Sequence, residues 1–318
     1  MVTFYPAFLS INSHTSVRLQ NRLTQRGEAM IPPAFEYLRP TTIPEAIALL
    51  QQHGEDAKIL SGGQSLIPMM KLRIARPAYL VDINRIAGLS YVKEEGGFLK
   101  IGGLTRESEL EASPLIQSKY PILVDTTHVI ADPQVRNLAT VAGNLAHGDP
   151  ANDHPASMLA LGAQVVATGA RGERVIAIEE FFLSVFTTAL QQGEILTEIR
   201  IPVPPVRSGG AYFKLERKVG DFATAGVATQ VSLDDKGAVQ RAGIGLTNVG
   251  ATPIKARKAE DFLRGKKLDT ENIGQAAQLA ADEAQPSSDL RGPAEYKKGL
   301  VKELARRSLS RAAQRAAK

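Results

Sequence analysis

The sequence predicts an α+β fold in two domains. Three observations carry that prediction. Short strand-like runs end in loops of small residues. Pro202, Pro204 and Pro205, followed by Ser208-Gly209-Gly210, make the best linker in the chain. Beyond it, three strand-like segments precede three helical ones. A chain of 318 residues can bury two cores of ordinary size, and 43% hydrophobic with 22% charged residues is the balance of a globular protein. No apolar run approaches the roughly 18 residues of a membrane span, which leaves peripheral association with a membrane surface open. The net charge of +5 is modest. Basic residues gather only at Arg306, Arg307, Arg311, Arg315 and Lys318, which read as a solvated helix face and not as a nucleic-acid footprint. The chain has no cysteine, which excludes disulfides, a thiolate nucleophile and a cysteine-held iron–sulfur cluster within it. His14, His53, His128, His147 and His154 lack metal-ligand spacing, so no metal site is expected, and His128, His147 and His154 read as structural or surface residues.

Residues 1–29 are rich in Ser, Thr and Arg, with Glu28 the only acid. They read as an over-long or misassigned start, with little order expected before Met30. Organised structure begins with a helix at Thr42-Ile43-Pro44-Glu45, a capping-box pattern, which buries Ala46, Ile47, Leu49 and Leu50 and stops at Gly54. Lys58–Leu60 is a strand entering Ser61-Gly62-Gly63-Gln64-Ser65. Leu66–Leu72 restarts as helix, and Tyr79–Ile83 and Leu99–Ile101 read as strands. A helix capped by Thr105 runs to about Glu111, and Pro121 opens another to about Ile130.

The stretch from Ala131 to Pro155 is so dense in Gly, Asn, Asp and Pro that it reads as irregular, apart from a strand-like Leu138–Val141. After Thr140 come the small residues Val141, Ala142, Gly143 and Asn144, which let backbone N–H groups approach an anion closely. With the loop at Ser61, this suggests two walls gripping one phosphate-bearing ligand. Asp153 stands where a helix over Pro155–Leu161 needs an N-cap. Gln164–Thr168 and Arg174–Ile178 form a hairpin, Glu180–Leu183 a short helix, and Ile195–Ile201 a strand. Past the proline cluster, Ala211–Lys218, Val227–Leu233 and Val239–Leu246 make a three-stranded meander. Helices at Ala256–Arg264, Thr270–Ala284 and Pro293–Ala313 follow, the last two separated by an exposed link at Pro286-Ser287-Ser288-Asp289.

From Met30 onwards the chain resembles the FAD-binding medium subunit of molybdenum hydroxylases, the xanthine dehydrogenase family, most closely its carbon monoxide dehydrogenase type. The marks, in order, are S-G-G-Q-S at Ser61, T-V-A-G-N at Thr140, G-D-P-x-N-D-x-P at Gly148, G-D-F-A-T-A at Gly220, I-G-L-T-N-V at Ile244 and S-D-x-R-G-P-A-E-Y at Ser288. The resemblance implies a two-lobed FAD-binding domain of the vanillyl-alcohol-oxidase type over residues 30–206. A small α+β domain with a three-stranded antiparallel sheet and helices then occupies residues 207–318.

It further implies that Ser61, Gly62, Gly63, Gln64, Ser65 and Leu66 form a first diphosphate loop and that Thr140, Val141, Ala142, Gly143 and Asn144 form the second. Ala142 replaces a usual glycine, tolerable only with a negative φ and no cofactor against that Cα. Asp153 falls where the family places a carboxylate on FAD hydroxyls, Leu196 near the adenine and Lys214 toward the flavin. Phe222 stands where relatives carry a tyrosine, keeping the stacking area without the hydroxyl. None of these residues is catalytic in the acid–base sense. The implied task is electron transfer through FAD to an external acceptor. A large partner subunit with the molybdopterin-type molybdenum cofactor oxidises substrate and a small one carries two [2Fe–2S] clusters, in a cytoplasmic dimer of heterotrimers. Two other readings remain: a self-contained FAD-dependent oxidoreductase, and a flavin-free structural assembly subunit.

Overall fold

The computed structural model describes residues 31–317; the expectation for residues 1–29, like His14 and Lys318, lies outside the described residues. In chain order the strands and α-helices are β1 (Glu36–Leu38), α1 (Ile43–His53), β2 (Ala57–Leu60), α2 (Leu66–Lys71), β3 (Tyr79–Asp82), β4 (Val92–Glu95), β5 (Phe98–Gly102), α3 (Glu107–Ala112), α4 (Pro114–Lys119), α5 (Pro121–His128), α6 (Pro133–Arg136), α7 (Val141–His147) and α8 (His154–Leu161). Then come β6 (Gln164–Gly169), β7 (Gly172–Ala177), β8 (Phe182–Ser184), β9 (Thr187–Thr188), β10 (Ile195–Pro202), β11 (Ser208–Leu215), β12 (Ala225–Leu233), β13 (Val239–Thr247), β14 (Ile254–Lys255), α9 (Arg257–Leu263), α10 (Thr270–Glu283) and α11 (Ala294–Ala316).

Three cores result. Helix α1 covers a parallel sheet of order β1-β3-β2, burying Ala46, Ile47 and Leu50 against Val81 and Ile83. Thr42 caps α1 as expected, accepting the Glu45 N–H. The Glu45 carboxylate, however, reaches back to the Thr41 N–H at 2.8 Å, one residue before the N-cap. The second lobe is an antiparallel sheet, order β4-β5-β10-β6-β7, against α5, α7 and α8. The third core lies between the sheet β11-β12-β13-β14 and helices α9–α11. The fourth strand, β14, has only two residues, too few to leave a sequence signal, so the meander is four-stranded.

Several local expectations are corrected. About half of residues 131–155 is helical: α6, α7 and the head of α8 lie there. The polar residues that suggested a loop are helix ends. Asp132 accepts the Val135 N–H, Thr140 accepts the Gly143 N–H, and Gly148, at φ 67°, closes α7. Leu138 is in no strand and is half exposed. Thr105 does not cap α3; its hydroxyl exchanges hydrogen bonds with the Tyr91 backbone, and Arg106 is the N-cap residue. The helix expected at Glu180–Leu183 is a 3₁₀ turn at Ile178–Glu180 followed by β8, because Phe181 is drawn fully into the core. Arg315 is no solvated arginine: its guanidinium clamps the Asp125 carboxylate on α5 and the Gly210 carbonyl on β11, tying α11 to the first domain.

The domains meet backbone to backbone. A Cβ on Gly243 would lie 1.9 Å from the Ala160 carbonyl oxygen, and one on Gly245 2.0 Å from that of Ala156, so β13 lies directly on α8. Behind this seam Glu260, on α9 and 8% exposed, accepts the Ile244 N–H at 2.7 Å. Burial pushes its carboxyl up to about 7, against the pull of that N–H and of Lys255. A carboxyl with a folded pKa above its unfolded one binds protons more tightly when folded. Stability therefore falls as pH rises from about 4.5 to about 7, by about 3 kcal/mol. Glu260→Gln keeps the acceptor and removes the ionisation. In urea melts at about pH 5 and about pH 8, its stability relative to the wild type should rise by about 3 kcal/mol between the two; parallel pH dependences would show that Glu260 titrates normally.

Candidate functional site

A cleft of about 550 Å³ opens between the two lobes of the first domain and reaches the C-terminal domain at one end. Two turns form its middle. Residues Ser61–Ser65 leave β2 and enter α2, while Thr140 opens α7 on the facing wall. The walls touch at their base. The Ser61 and Thr140 hydroxyls lie 3.1 Å apart, and a Cβ on Gly62 would come within 2.6 Å of the Leu138 carbonyl oxygen. Gly143 has the same constraint, since a Cβ there would sit 2.5 Å from the capping oxygen of Thr140 and 3.1 Å from Ser61 Oγ. Arg106 braces both walls: its guanidinium donates to the Leu138 carbonyl and to Asn84 Oδ1, and Asn84 Nδ2 donates to the Ser61 carbonyl at 2.9 Å.

At the C-terminal-domain end, Asp153 is 5% exposed and makes no capping bond; its backbone is helical. Both carboxylate oxygens are engaged from β11. Tyr212 Oη donates to Oδ1 at 2.5 Å, and Lys214 Nζ lies 3.1 Å from Oδ2. Burial pushes the Asp153 carboxyl above the usual carboxylate range, opposed by the Lys214 ammonium and the Tyr212 hydroxyl. Burial, with the adjacent carboxylate, holds the Tyr212 hydroxyl far above its usual range and therefore as a donor. Lys214 Nζ also donates to the Asp221 carbonyl at 2.8 Å and thereby reaches the loop carrying Phe222. The other end of the cleft is closed by the segment from Leu190 to Leu196, held by a two-pronged Arg174–Glu194 pair at 2.7 Å on each prong.

Of the residues expected from sequence, Ser61, Gly62, Gly63, Gln64, Ser65, Leu66, Thr140, Ala142, Gly143, Asn144, Asp153, Leu196 and Phe222 all line this one cleft. Val141 does not; its side chain is fully buried in the second-lobe core. Lys214 stands behind Asp153 and not on the wall. Ala142 lies within α7, so its φ is negative, and its methyl is packed in the core at 2% exposure. Sequence reasoning missed Tyr212, which period-2 alternation could have found, since it shares a strand face with Lys214 two residues on. It also missed Arg106, Asn84 and Lys58, the last being, among the described residues, the only Lys or Arg lining the cleft; Lys58 carried no local signal.

The cleft fits an elongated dinucleotide. Among the described residues, none of the backbone N–H groups from Gly62 to Ser65 has a hydrogen-bond partner, and neither has that of Ala142. A row of free donors at a constriction where side chains are sterically excluded suits a diphosphate. The apolar Leu196 and Phe222 lie on the same wall system for ring-shaped groups, and Asp153 is a buried acceptor for hydroxyls.

Comparison with known proteins agrees. A family model described as the FAD binding domain in molybdopterin dehydrogenase matches residues 33–204, and one described as the CO dehydrogenase flavoprotein C-terminal domain matches residues 210–312. The chain is 46% identical to the carbon monoxide dehydrogenase medium chain of Afipia carboxidovorans, over 90% of this chain and 99% of that one. It is 38% identical to the alpha subunit of the 6-hydroxypseudooxynicotine dehydrogenase complex of Paenarthrobacter nicotinovorans, over 90% and 97%. A solved carbon monoxide dehydrogenase from Hydrogenophaga pseudoflava superposes with a TM-score of 0.87 at 46% identity, covering 90% of this chain and 99% of that one.

Two substitutions separate the roles of neighbouring small residues. Gly62→Ala should force the walls apart, at a cost of about 1–3 kcal/mol, and weaken FAD binding. Ala142→Gly should cost about 1–2 kcal/mol of stability, from the helix backbone and the lost core methyl, and leave FAD affinity unchanged. Titration with FAD followed by flavin fluorescence distinguishes them; equal losses of affinity would refute the placement of the Ala142 methyl.

Proposed function

The chain belongs to the family of FAD-binding medium subunits of molybdenum-dependent dehydrogenases, and from that premise we propose that it is the electron-relaying flavoprotein of a carbon monoxide dehydrogenase-type complex. Electrons reach it from the iron–sulfur clusters of a small subunit. A large molybdopterin subunit oxidises the substrate, and the assembly is a cytoplasmic dimer of heterotrimers. The observation that carries this reading is the cleft itself: two turns of small residues, joined through Ser61 and Thr140, present unpaired N–H groups to one elongated ligand.

FAD, when bound, supplies the ability to take up electrons singly or in pairs. The chain's own residues do the rest. Gly62 to Ser65 and the head of α7 would hold the diphosphate. Asp153, made rigid by Tyr212 and Lys214, would accept hydrogen bonds from cofactor hydroxyls. Lys214 keeps a cation near the flavin end, where negative charge is favoured. Phe222 supplies an apolar face there without a hydroxyl. Among the described residues no group of three or more His, Cys, Asp or Glu is placed to hold a metal ion.

The purified chain, incubated with FAD, should bind one flavin per chain. That flavin should be reduced by candidate substrates only when the two partner subunits are added. A protein that stays colourless refutes the reading, and turnover by the isolated chain replaces it with a self-contained oxidoreductase.

A further inference from the structure

The run S-D-L-R-G-P-A-E-Y at Ser288 contributes no residue to the cleft wall, yet the fold tethers it far more tightly than an exposed linker requires. Asp289 and Gly292 exchange two backbone hydrogen bonds of 3.1 Å. Asp289 Oδ1 accepts the Arg291 N–H at 2.8 Å. Asp289 Oδ2 accepts Lys297 Nζ at 2.6 Å, an ammonium on α11 whose side chain is 2% exposed and which also donates to the Ser287 carbonyl. The Ser288 hydroxyl accepts the Ala294 N–H at the head of α11. Gly292, at φ 145°, leaves room for the Tyr296 ring, which a Cβ would meet at 2.7 Å.

This turn aims one side chain. The Arg291 guanidinium reaches the loop between β11 and β12, donating to the Phe222 carbonyl and lying 3.3 Å from Asp221 Oδ1. The Phe222 ring is 48% exposed, so core packing does not fix it; its position is inherited from its backbone. Other tethers of that loop include Gly220 seated on Ala131, Lys214 on the Asp221 carbonyl, Asn248 on the Ala223 carbonyl, Arg217 on Asp221, the Thr224 N–H on the Leu215 carbonyl and the Phe222 N–H on Asp221 Oδ1. Arg217 is 62% exposed and contributes little as a surface pair. Of these tethers only Arg291 grips the carbonyl of Phe222, and its two-pronged fork is a geometry that lysine cannot reproduce.

We propose that Arg291 is a positioning residue for the cofactor: by holding Phe222 and Asp221, it sets where the aromatic ring stands against the flavin end of the cleft. The effect on the flavin rests on the FAD reading above; the hold on the loop does not. The test uses the full chain, with Arg291→Ala and Arg291→Lys. The loop carries trypsin sites at Arg217 and Lys218, so its freedom is read from cutting there without FAD. Its influence on the cofactor is read from FAD affinity and the visible absorption band of the bound flavin.

Arg291→Ala should be cut about tenfold faster at Arg217 and Lys218, bind FAD about tenfold more weakly, and show an altered flavin band. Arg291→Lys, which restores one contact, should fall between it and the wild type, and it carries the test alone should the alanine variant not fold. Wild-type cutting in the variants overturns the proposal. Faster cutting with unchanged affinity and flavin band also overturns it, leaving Arg291 a structural tie. A wild-type chain that takes up no FAD overturns the cofactor reading and the flavin part of the proposal together, whatever the cutting rates show.

Discussion

The approach of α8 to β13 is the constraint on which the C-terminal-domain end of the cleft depends. Ala156 and Ala160 are one helical turn apart, about 6 Å along the axis, and Gly243 and Gly245 are two strand residues apart, about 6.8 Å. The periods nearly match, so two carbonyls of the helix can rest on two glycines of the strand. Any side chain at either glycine would lift the helix off the sheet. Asp153 immediately precedes that helix, and Tyr212 and Lys214 project from another strand of the same sheet. The seam therefore fixes the distance between an acid of one domain and its two partners in the other. The same contact continues past the glycines. The Thr247 hydroxyl donates to the Pro150 and Asn152 carbonyls, the Asn248 N–H donates to the Pro150 carbonyl, and the Asn248 amide holds the Ala223 carbonyl.

The buried charges at that junction are better understood as positioning than as stabilisation. Taking Asp153 and Lys214 out of water costs several kcal/mol for each ion, which their mutual attraction recovers only with good geometry and further hydrogen bonds. Both conditions are met here: Asp153 gains the Tyr212 hydroxyl, and Lys214 gains the Asp221 carbonyl and lies 3.2 Å from Glu216 Oε2. The expense fixes the carboxylate orientation on the cleft wall and couples it to the loop of Phe222. A second buried pair, Glu107 with His154 at 2.8 Å, stands directly behind, both side chains fully buried. His154, read from sequence as a structural or surface residue, is buried and braces the neck of α8, next to Asp153.

Much of this was legible in the sequence because the signals are local. The cap at Thr42, the glycine turn after Leu60, the hairpin across residues 169–172 and the strand pattern past the prolines each depend on a few adjacent residues. The two turns of small residues that meet in the cleft were legible as short marks in the sequence. Three kinds of feature were not. Residues 131–155 combine helix caps so closely that Asp132, Thr140 and Gly148 look like loop composition, although each terminates a helix of four to seven residues. Asp153 resembles an N-cap because caps and ligand-facing acids share residue types; what separates them is two partners about sixty positions away. Arg106, Asn84, Arg291 and Arg315 act through contacts across the fold, and nothing in their neighbours' identities announces them.

The two departures from the family pattern show why a motif has to be read through its geometry. Ala142 in place of glycine would be a serious objection if the second wall were an extended loop, since a methyl would then face the ligand. The wall is instead the first turn of α7, and a helix sends successive Cβ atoms in different directions; the methyl of Ala142 goes into the core while Gly143 keeps the approach to Ser61 open. The loop's demand for a bare Cα therefore falls on one position, and the sequence retains glycine at that one. Phe222 departs in the opposite sense, losing a polar atom at the cleft end while keeping a large ring. Its place is set by the backbone clamps on its carbonyl and on Asp221, which a missing side-chain hydroxyl does not disturb. One departure adds a methyl that the core takes up and the other removes a hydroxyl that the backbone clamps do not need, so neither argues against the cofactor.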